Sequence, residues 1–298
     1  MNLIQLKQSA LEVEWIDGPQ GATRAPLVFL HEGLGSVAMW RSREGFWPAQ
    51  VCAATGRAGV VYSRRGYGQS SGIVDVRGAH RLAPDYMHQE AWQVLPELLA
   101  ALGIQRPVLL GHSDGGTIAL LHAARHPVSA CLVMAPHVRV EQISLSAIEA
   151  ARDAYVNGQL RERLSKFHND VDCAFWQWND VWLSDEFSSF DIRPLLHRIQ
   201  APVLAIQGMD DPYGTMAQID ERKRGHYVSF LVTNQHRTKI GGWSPTGEPR
   251  SLPGGNALGH FTSVEVQFKN KEVVKADGTG IDTLSINEHT FVIEKNKH

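Results

Sequence analysis

The segment VLLGHSDGGTIALLHAAR, Val108–Arg125, crowds Gly111, Gly115 and Gly116 around Ser113. Before the serine the chain is apolar in the manner of a buried strand; after it, apolar residues recur at helical spacing. A strand that turns at once into a helix holds its turn residue in strained dihedrals. The neighbours of that residue must be small to clear the adjoining strand and helix, a need that Gly111 and Gly115 meet. Gly111-His112-Ser113-Asp114-Gly115 is thus a G-x-S-x-G turn, which presents a serine hydroxyl for nucleophilic attack. A glycine-rich turn with a capping serine is the competing reading, and the strand before and helix after favour the nucleophile.

A neutral serine needs a base, and the base needs an orienting acid. The developing oxyanion also needs donors, each worth on the order of 10²–10³ in rate. The stretch VFLHEGLGS, Val28–Ser36, follows another strand pattern and is rich in glycine. Its Gly33 backbone N–H, with that of Leu34 as the alternative, pairs with the N–H of Asp114 as the expected oxyanion hole. Glu32 is unusual in that setting, and nothing in the sequence assigns it a role.

The elements that must position these groups alternate. Candidate strands are Leu11–Ile16, Pro26–Leu30, Gly59–Tyr62, Pro107–Leu110, Ala130–Met134, Pro202–Ile206 and Tyr227–Val232. Helical spacing covers Asp85–Leu102, where Pro96 argues for a kink or a late start, and Thr117–Arg125. Apolar strands alternating with helices predict an α/β fold with a mostly parallel sheet covered on both faces. Residues 137–200 are helix-patterned, with Phe175, Trp176, Trp178 and Trp182 close together, and read as a helical lid over the strand ends. Residues 241–298 change character. A Gly- and Pro-rich stretch precedes the β-like runs VEVQF, EVVKA and FVIEK, separated by the turn signals KNK and DGTG.

The 298 residues, 43% of them hydrophobic, suffice for a sizeable core, and a formal net charge of -2 gives no global field for nucleic acid or anionic membrane. Cys52, Cys131 and Cys173 read as buried packing residues in a reducing compartment rather than a disulfide frame. No apolar run reaches about 18 residues, so the expectation is a cytoplasmic protein acting on a small molecule, without cofactor. His168, Asp170, Asp172 and Cys173 are metal-ligand types, but their spacing fits no standard site, and a solvated lid face is the expectation there. No dinucleotide or phosphate-loop fingerprint appears, and Arg222-Lys223-Arg224 reads as a helix end.

HEGLG, RRGYGQS (Arg64–Ser70), GHSDGG and AIQGMDDPYGT (Ala205–Thr215) occur in the order seen in the α/β-hydrolase family, and the chain resembles its small bacterial esterase-like members over about residues 1–221. The resemblance implies an eight-stranded sheet, a helical cap before the acid strand, and a triad in chain order Ser, Asp, His. A serine at position 113 speaks against the branches that use an aspartate nucleophile. In related sequences the acid lies three residues after a glycine, which selects Asp211 over Asp210. The base follows the last strand. His236 stands at the usual distance, 25 residues after Asp211, although TNQHRTK does not match the family loop. His260 in ALGHFTS matches better but lies 49 residues on, and His226 would begin the strand. The expected division is a core of residues 1–136 and 201–240, a cap of 137–200, and a linker with an atypical extension at 241–298.

The expected activity is cleavage of a carboxylic ester or lactone of a small, largely apolar substrate through an acyl-enzyme, with Ser113, Asp211 and His236 (or His260) as triad and Gly33 and Asp114 as oxyanion donors. A carbon–carbon bond hydrolase, a thioester hydrolase, and a catalytically impaired fold with a foreign C-terminal part are the alternatives.

Overall fold

The structure, a computed structural model, describes residues 2–20 and 23–218, and beyond them the backbone of 228–233, 237–238, 250–251, 264–276 and 283–296. The chain divides into two units, Met1–Asn234 and Gln235–His298.

The first unit is built on an eight-stranded sheet. Its strands are β1 (Asn2–Gln5), β2 (Ala10–Ile16), β3 (Leu27–Leu30), β4 (Gly59–Tyr62), β5 (Val108–His112), β6 (Ala130–Met134), β7 (Val203–Gly208) and β8 (Val228–Thr233). The spatial order is β1-β2-β4-β3-β5-β6-β7-β8. β1 and β2 run antiparallel at one edge; from β4 onward every pair is parallel. β3 (LVFL) and β4 (GVVY) are buried at every position, as strands covered on both faces must be. All seven strands expected from the sequence are present; β1, a polar four-residue edge, was not among them.

Helix α1 (Trp47–Thr55) follows next in the chain; one apolar cluster on the sheet contains Leu27, Phe29, Val61, Val108 and Leu110 together with its Cys52. The larger cluster gathers α2 (Tyr86–Gln89), α3 (Leu95–Ala101) and α4 (Asp114–Ala123). Between α2 and α3 the helix widens into a π turn, Glu90–Val94. Pro96 sits just beyond it in the first turn of α3, with no N–H to give to the preceding turn, and the irregularity expected there takes the form of this π turn. The three cysteines are free and buried.

Between β6 and β7 the alternation stops and four helices are inserted: α5 (Gln142–Val156), α6 (Leu160–Leu164), α7 (Val171–Trp182) and α8 (Arg193–Leu196). α7 starts on Asp170, whose carboxylate accepts the Cys173 N–H at 2.9 Å, a side-chain N-cap. Its aromatic face joins the core: Tyr155 of α5 stacks on Phe175 at 3.7 Å between ring centres, and Trp182 meets Phe187 at 4.8 Å.

The second unit contains a long antiparallel pair, β9 (Val264–Ala276) with β10 (Thr283–Asn296), and a two-residue ladder of Arg237–Thr238 with Arg250–Ser251. The turn expected at KNK is therefore corrected. Lys269, Asn270 and Lys271 lie inside β9 and pair with Thr290, His289 and Glu288. KNK offers Asn270 alone as a turn former, whereas the DGTG stretch, with two glycines and an aspartate, falls between the two strands.

Strand register decides what meets at the carboxyl edge. Leu30 pairs with Gly111, Gly111 with Val133, and Met134 with Ile206. The segments that leave β3, β5, β6 and β7 therefore emerge side by side, the place where open parallel sheets bind ligands.

Four buried histidines make this fold acid-sensitive. Burial holds His31, His137 and His168 below the ordinary imidazole range and lowers His122 to about 4. The unfolded chain takes up protons near pH 6.5 that the folded chain refuses, so stability is lost as pH falls below that value, by at most roughly 1.4 kcal/mol per pH unit for each such group. The urea midpoint is expected to drop clearly between about pH 7.5 and pH 5, and an unchanged midpoint contradicts this account.

Candidate active site

β5 ends at His112 and α4 begins at Asp114, leaving Ser113 alone to reverse the chain at φ 51°, ψ -120°. Few non-glycine residues adopt such a conformation, and it costs on the order of 1–3 kcal/mol. Main-chain bonds offset the strain: the Ser113 N–H donates to the Met134 carbonyl at 2.8 Å, and its own carbonyl accepts from Thr117 N–H at 3.0 Å. The flanking glycines are a steric necessity. A Cβ on Gly111 would lie 2.2 Å from the Gly115 carbonyl oxygen, and one on Gly115 would lie 2.2 Å from that of Leu30. Ser113 itself remains partly exposed.

Asp114 is the first residue of α4, so its N–H has no intrahelical acceptor. The Gly33 N–H likewise donates to no group among the described residues. The Asp114 side chain is turned away and buried: its Oδ2 accepts from Tyr86 Oη at 2.5 Å, and that hydroxyl accepts the Trp182 indole N–H at 3.0 Å. The Gly33 loop is held from below by Arg64. Its guanidinium donates to the carbonyls of His31 and Glu32, at 2.6 and 2.9 Å, and its N–H donates to His31 Nε2 at 3.0 Å. With those carbonyls engaged, the loop has its amides to spare for the other side. His168, just before α7, ties the same loop to the inserted helices. Its Nδ1 accepts from Gly68 N–H and its Nε2 donates to the Leu34 carbonyl, both at 3.0 Å. Gly66 and Gly68 adopt φ of 83° and 56°, and a Cβ on Gly66 would strike the Gln177 side chain.

After β7 the chain forms a tight acidic loop. Asp211 Oδ2 accepts from Gln207 Nε2 at 3.0 Å and Oδ1 from Tyr213 N–H at 2.8 Å. The side chain of Gln207 also donates to the Gly214 carbonyl. The far end of the loop is stapled to the start of the inserted segment. Glu141 accepts from Thr215 N–H and Oγ1, at 2.9 and 2.7 Å, and from Gln218 Nε2 at 2.6 Å. Gln218 Oε1 in turn accepts the Val138 N–H at 2.8 Å. Of the two aspartates, Asp211 is the half-buried one and Asp210 the exposed one.

Two histidines that the sequence did not single out stand in this region. His112 Nδ1 lies 3.5 Å from Glu32 Oε2. Burial pushes the Glu32 carboxyl upward, but His112 and, more weakly, Arg64 outweigh it and leave the group below the usual carboxylate range. Glu32, without a role in the sequence, is thus an ionised carboxylate facing the residue next to Ser113. His137 follows β6 and is clasped to α4, its N–H and carbonyl both bonded to Thr117 Oγ1. Its ring is buried edge-on to Trp182, 4.9 Å between centres, with Nδ1 unpartnered among the described residues. Burial lowers its basicity, while the charges of Asp114 and Asp211 partly restore it.

Ser113, Asp114, Gly33 and Asp211 therefore all leave the carboxyl ends of the parallel strands. His236 and His260, like His226 and Arg222-Lys223-Arg224, lie outside the described residues. The solvated face expected for His168, Asp170, Asp172 and Cys173 holds for the two aspartates and is corrected for the other two. His168 and Cys173 are buried, because the first bridges two loops and the second lies against Ile73, while Asp172 pairs with Arg161 at 2.6 Å. Among the described residues no group of His, Cys, Asp and Glu could hold a metal ion, and no helix is long and apolar enough to cross a membrane. The roles of Arg64 and His168 had only a faint sequence signal, a doubled arginine before a Gly-Tyr-Gly turn and a histidine beside an N-cap.

Residues 25–183 match the alpha/beta hydrolase fold family. The chain is 24% identical over 225 residues to a bifunctional esterase/perhydrolase of Acinetobacter calcoaceticus, covering 64% of this chain and 76% of that one. Among solved structures it is similar to a carboxylesterase of the thaumarchaeon Nitrososphaera gargenis, with TM-score 0.58, 20% identity and coverage of 78% and 89%. It is also similar to the enol-lactonase of Burkholderia xenovorans LB400, with TM-score 0.55, 18% identity and coverage of 78% and 91%. At these identities the two structural likenesses speak for the fold alone.

The glycine contacts yield a sharp contrast. Gly115→Ala is expected to cost more than about 4 kcal/mol or to prevent folding, because backbone must move. At Gly116 the nearest atoms to an added Cβ are 3.3 Å away, so Gly116→Ala is expected to stay within about 1 kcal/mol of wild type, its helix propensity offsetting the tight fit. Thermal unfolding of the two variants measures the difference.

Proposed function

The chain belongs to the alpha/beta hydrolase fold family, and from that premise we propose that it is a serine hydrolase cleaving a carboxylic ester or lactone of a small, largely apolar substrate through an acyl-enzyme. The observation that carries this reading is the strained turn at Ser113, with φ 51° between a strand and a helix. A residue whose only task was to cap a helix would gain nothing from that strain, whereas a nucleophile gains an unobstructed hydroxyl.

Ser113 Oγ attacks the substrate carbonyl. A histidine takes the hydroxyl proton and returns it to the leaving oxygen, and water then cleaves the acyl-serine by the same route. Asp211 orients that histidine and stabilises its cation; the Gln207 and Tyr213 bonds that hold its carboxylate in place support the assignment. His236 is the assigned base and His260 the alternative. The N–H groups of Gly33 and Asp114 receive the oxyanion, their freedom from other acceptors among the described residues being the support for this. The helices of residues 137–200 act as the cap, and their buried aromatic side chains suit an apolar substrate.

Ser113→Ala is expected to abolish turnover of p-nitrophenyl acetate while leaving the circular dichroism spectrum intact, and the wild-type serine is expected to react with a fluorophosphonate probe. Turnover by the alanine variant at the wild-type rate would refute the nucleophile. Between the bases, His236→Ala is expected to lose at least about 10³-fold in kcat and His260→Ala to retain most of it. The reverse pattern reassigns the role.

A further inference from the structure

Trp178, on α7, is buried to 5% exposure. Buried indoles ordinarily give their N–H to an acceptor, as Trp182 does to Tyr86 Oη and Trp92 to the Leu121 carbonyl. The Trp178 N–H donates to no group among the described residues. The ring edge that carries it is pressed against Gly33: a Cβ on that glycine would fall 2.2 Å from Trp178 Nε1, 2.6 Å from Cδ1 and 2.9 Å from Cε2. Gly33 is a glycine because the indole occupies the space of its side chain.

A carbon–carbon bond is about 1.5 Å long and N–Cα about 1.46 Å, so Nε1 lies within about 4 Å of Gly33 Cα and about 5 Å of Gly33 N. Two donors that close can share one oxygen at about 2.9 Å from each. We propose that the Trp178 indole N–H is a third donor to the reacting carbonyl oxygen, acting beside the Gly33 and Asp114 amides, and that Trp178 is a catalytic residue. The inference rests on the serine-hydrolase reading above and adds to it a side-chain donor supplied by the inserted helices. The indole nitrogen is not itself sealed from solvent, so its N–H is free to meet the arriving oxygen, most strongly when that oxygen carries charge. Its contribution therefore belongs to the transition state. Through the His168 bonds to Leu34 and Gly68 the segment that leads into α7 also holds the Gly33 loop.

The test compares wild type, Trp178→Phe and Ser113→Ala on p-nitrophenyl acetate. Phenylalanine keeps the ring packing and removes the N–H. Trp178→Phe is expected to lose roughly 10²-fold in kcat with KM little changed, because an interaction made chiefly in the transition state is gone. An independent reading comes from the indole ¹⁵N–¹H resonance of Trp178 when phenylboronic acid forms a tetrahedral adduct on wild-type Ser113; a downfield shift is expected. Wild-type kcat in Trp178→Phe, or an unmoved indole resonance in a protein whose turnover depends on Ser113, overturns the third donor and leaves the hydrolase standing. Turnover that survives Ser113→Ala, or a wild type with none, removes the serine-hydrolase reading and this inference with it.

Discussion

Between β5 and α4 the chain reverses within a single residue, and that reversal is possible only because two glycines let backbone touch backbone. The absent side chains of Gly111 and Gly115 leave room for the carbonyls of Gly115 and Leu30, each 2.2 Å from where a Cβ would stand. Strand β3, strand β5 and helix α4 are thereby drawn closer than side chains permit. The approach sets the distance between the Gly33 loop, which continues β3, and the N-terminus of α4, where the Asp114 N–H has no acceptor among the described residues. Strain at Ser113 is tolerated because its N–H and carbonyl are both bonded, to Met134 and Thr117. The surrounding sheet over-determines the conformation.

Around this turn, separate loops are bound into one frame by a few polar side chains. Arg64 collects the carbonyls of His31 and Glu32, His168 joins Leu34 to Gly68, and Glu141 with Gln218 anchors the Asp211 loop to the start of the inserted helices. Each of these groups reaches at least one main-chain partner, and such bonds restrain loop geometry more firmly than contacts between two mobile side chains alone. The inserted segment is consequently part of the frame. It presses on glycines of two loops, Trp178 on Gly33 and Gln177 on Gly66, so the shape of the site depends on helices far from the serine in sequence.

Much of this was legible from residue patterns, and the reasons differ by element. The central strands are apolar along most of their length and begin or end near glycine or proline, which leaves them few alternatives. The π turn before Pro96 goes with the missing N–H, and the elbow with glycines at fixed offsets. The polar edge strand β1 carries no such pattern; it exists because β2 offers it a free edge. KNK resembled a turn by polarity, yet polarity alone does not reverse a chain. The segment around His168 looked solvated because it is rich in polar residues, whereas its histidine is buried by having two main-chain partners a hundred residues and more away.

The sequence by itself determined which segments form the central strands, the turn at Ser113, and the aspartate loop after β7, since each depends on residues adjacent in the chain. Only the tertiary structure decided that Glu32 faces His112, that Arg64 holds the loop of Gly33, that His137 is sealed against Trp182, and that the Trp178 indole lies on Gly33. Those pairs are between 31 and 145 residues apart. Local propensity is blind to such separations. They become contacts only when strand register brings the carboxyl ends of β3, β5, β6 and β7 into line and the inserted helices close over them.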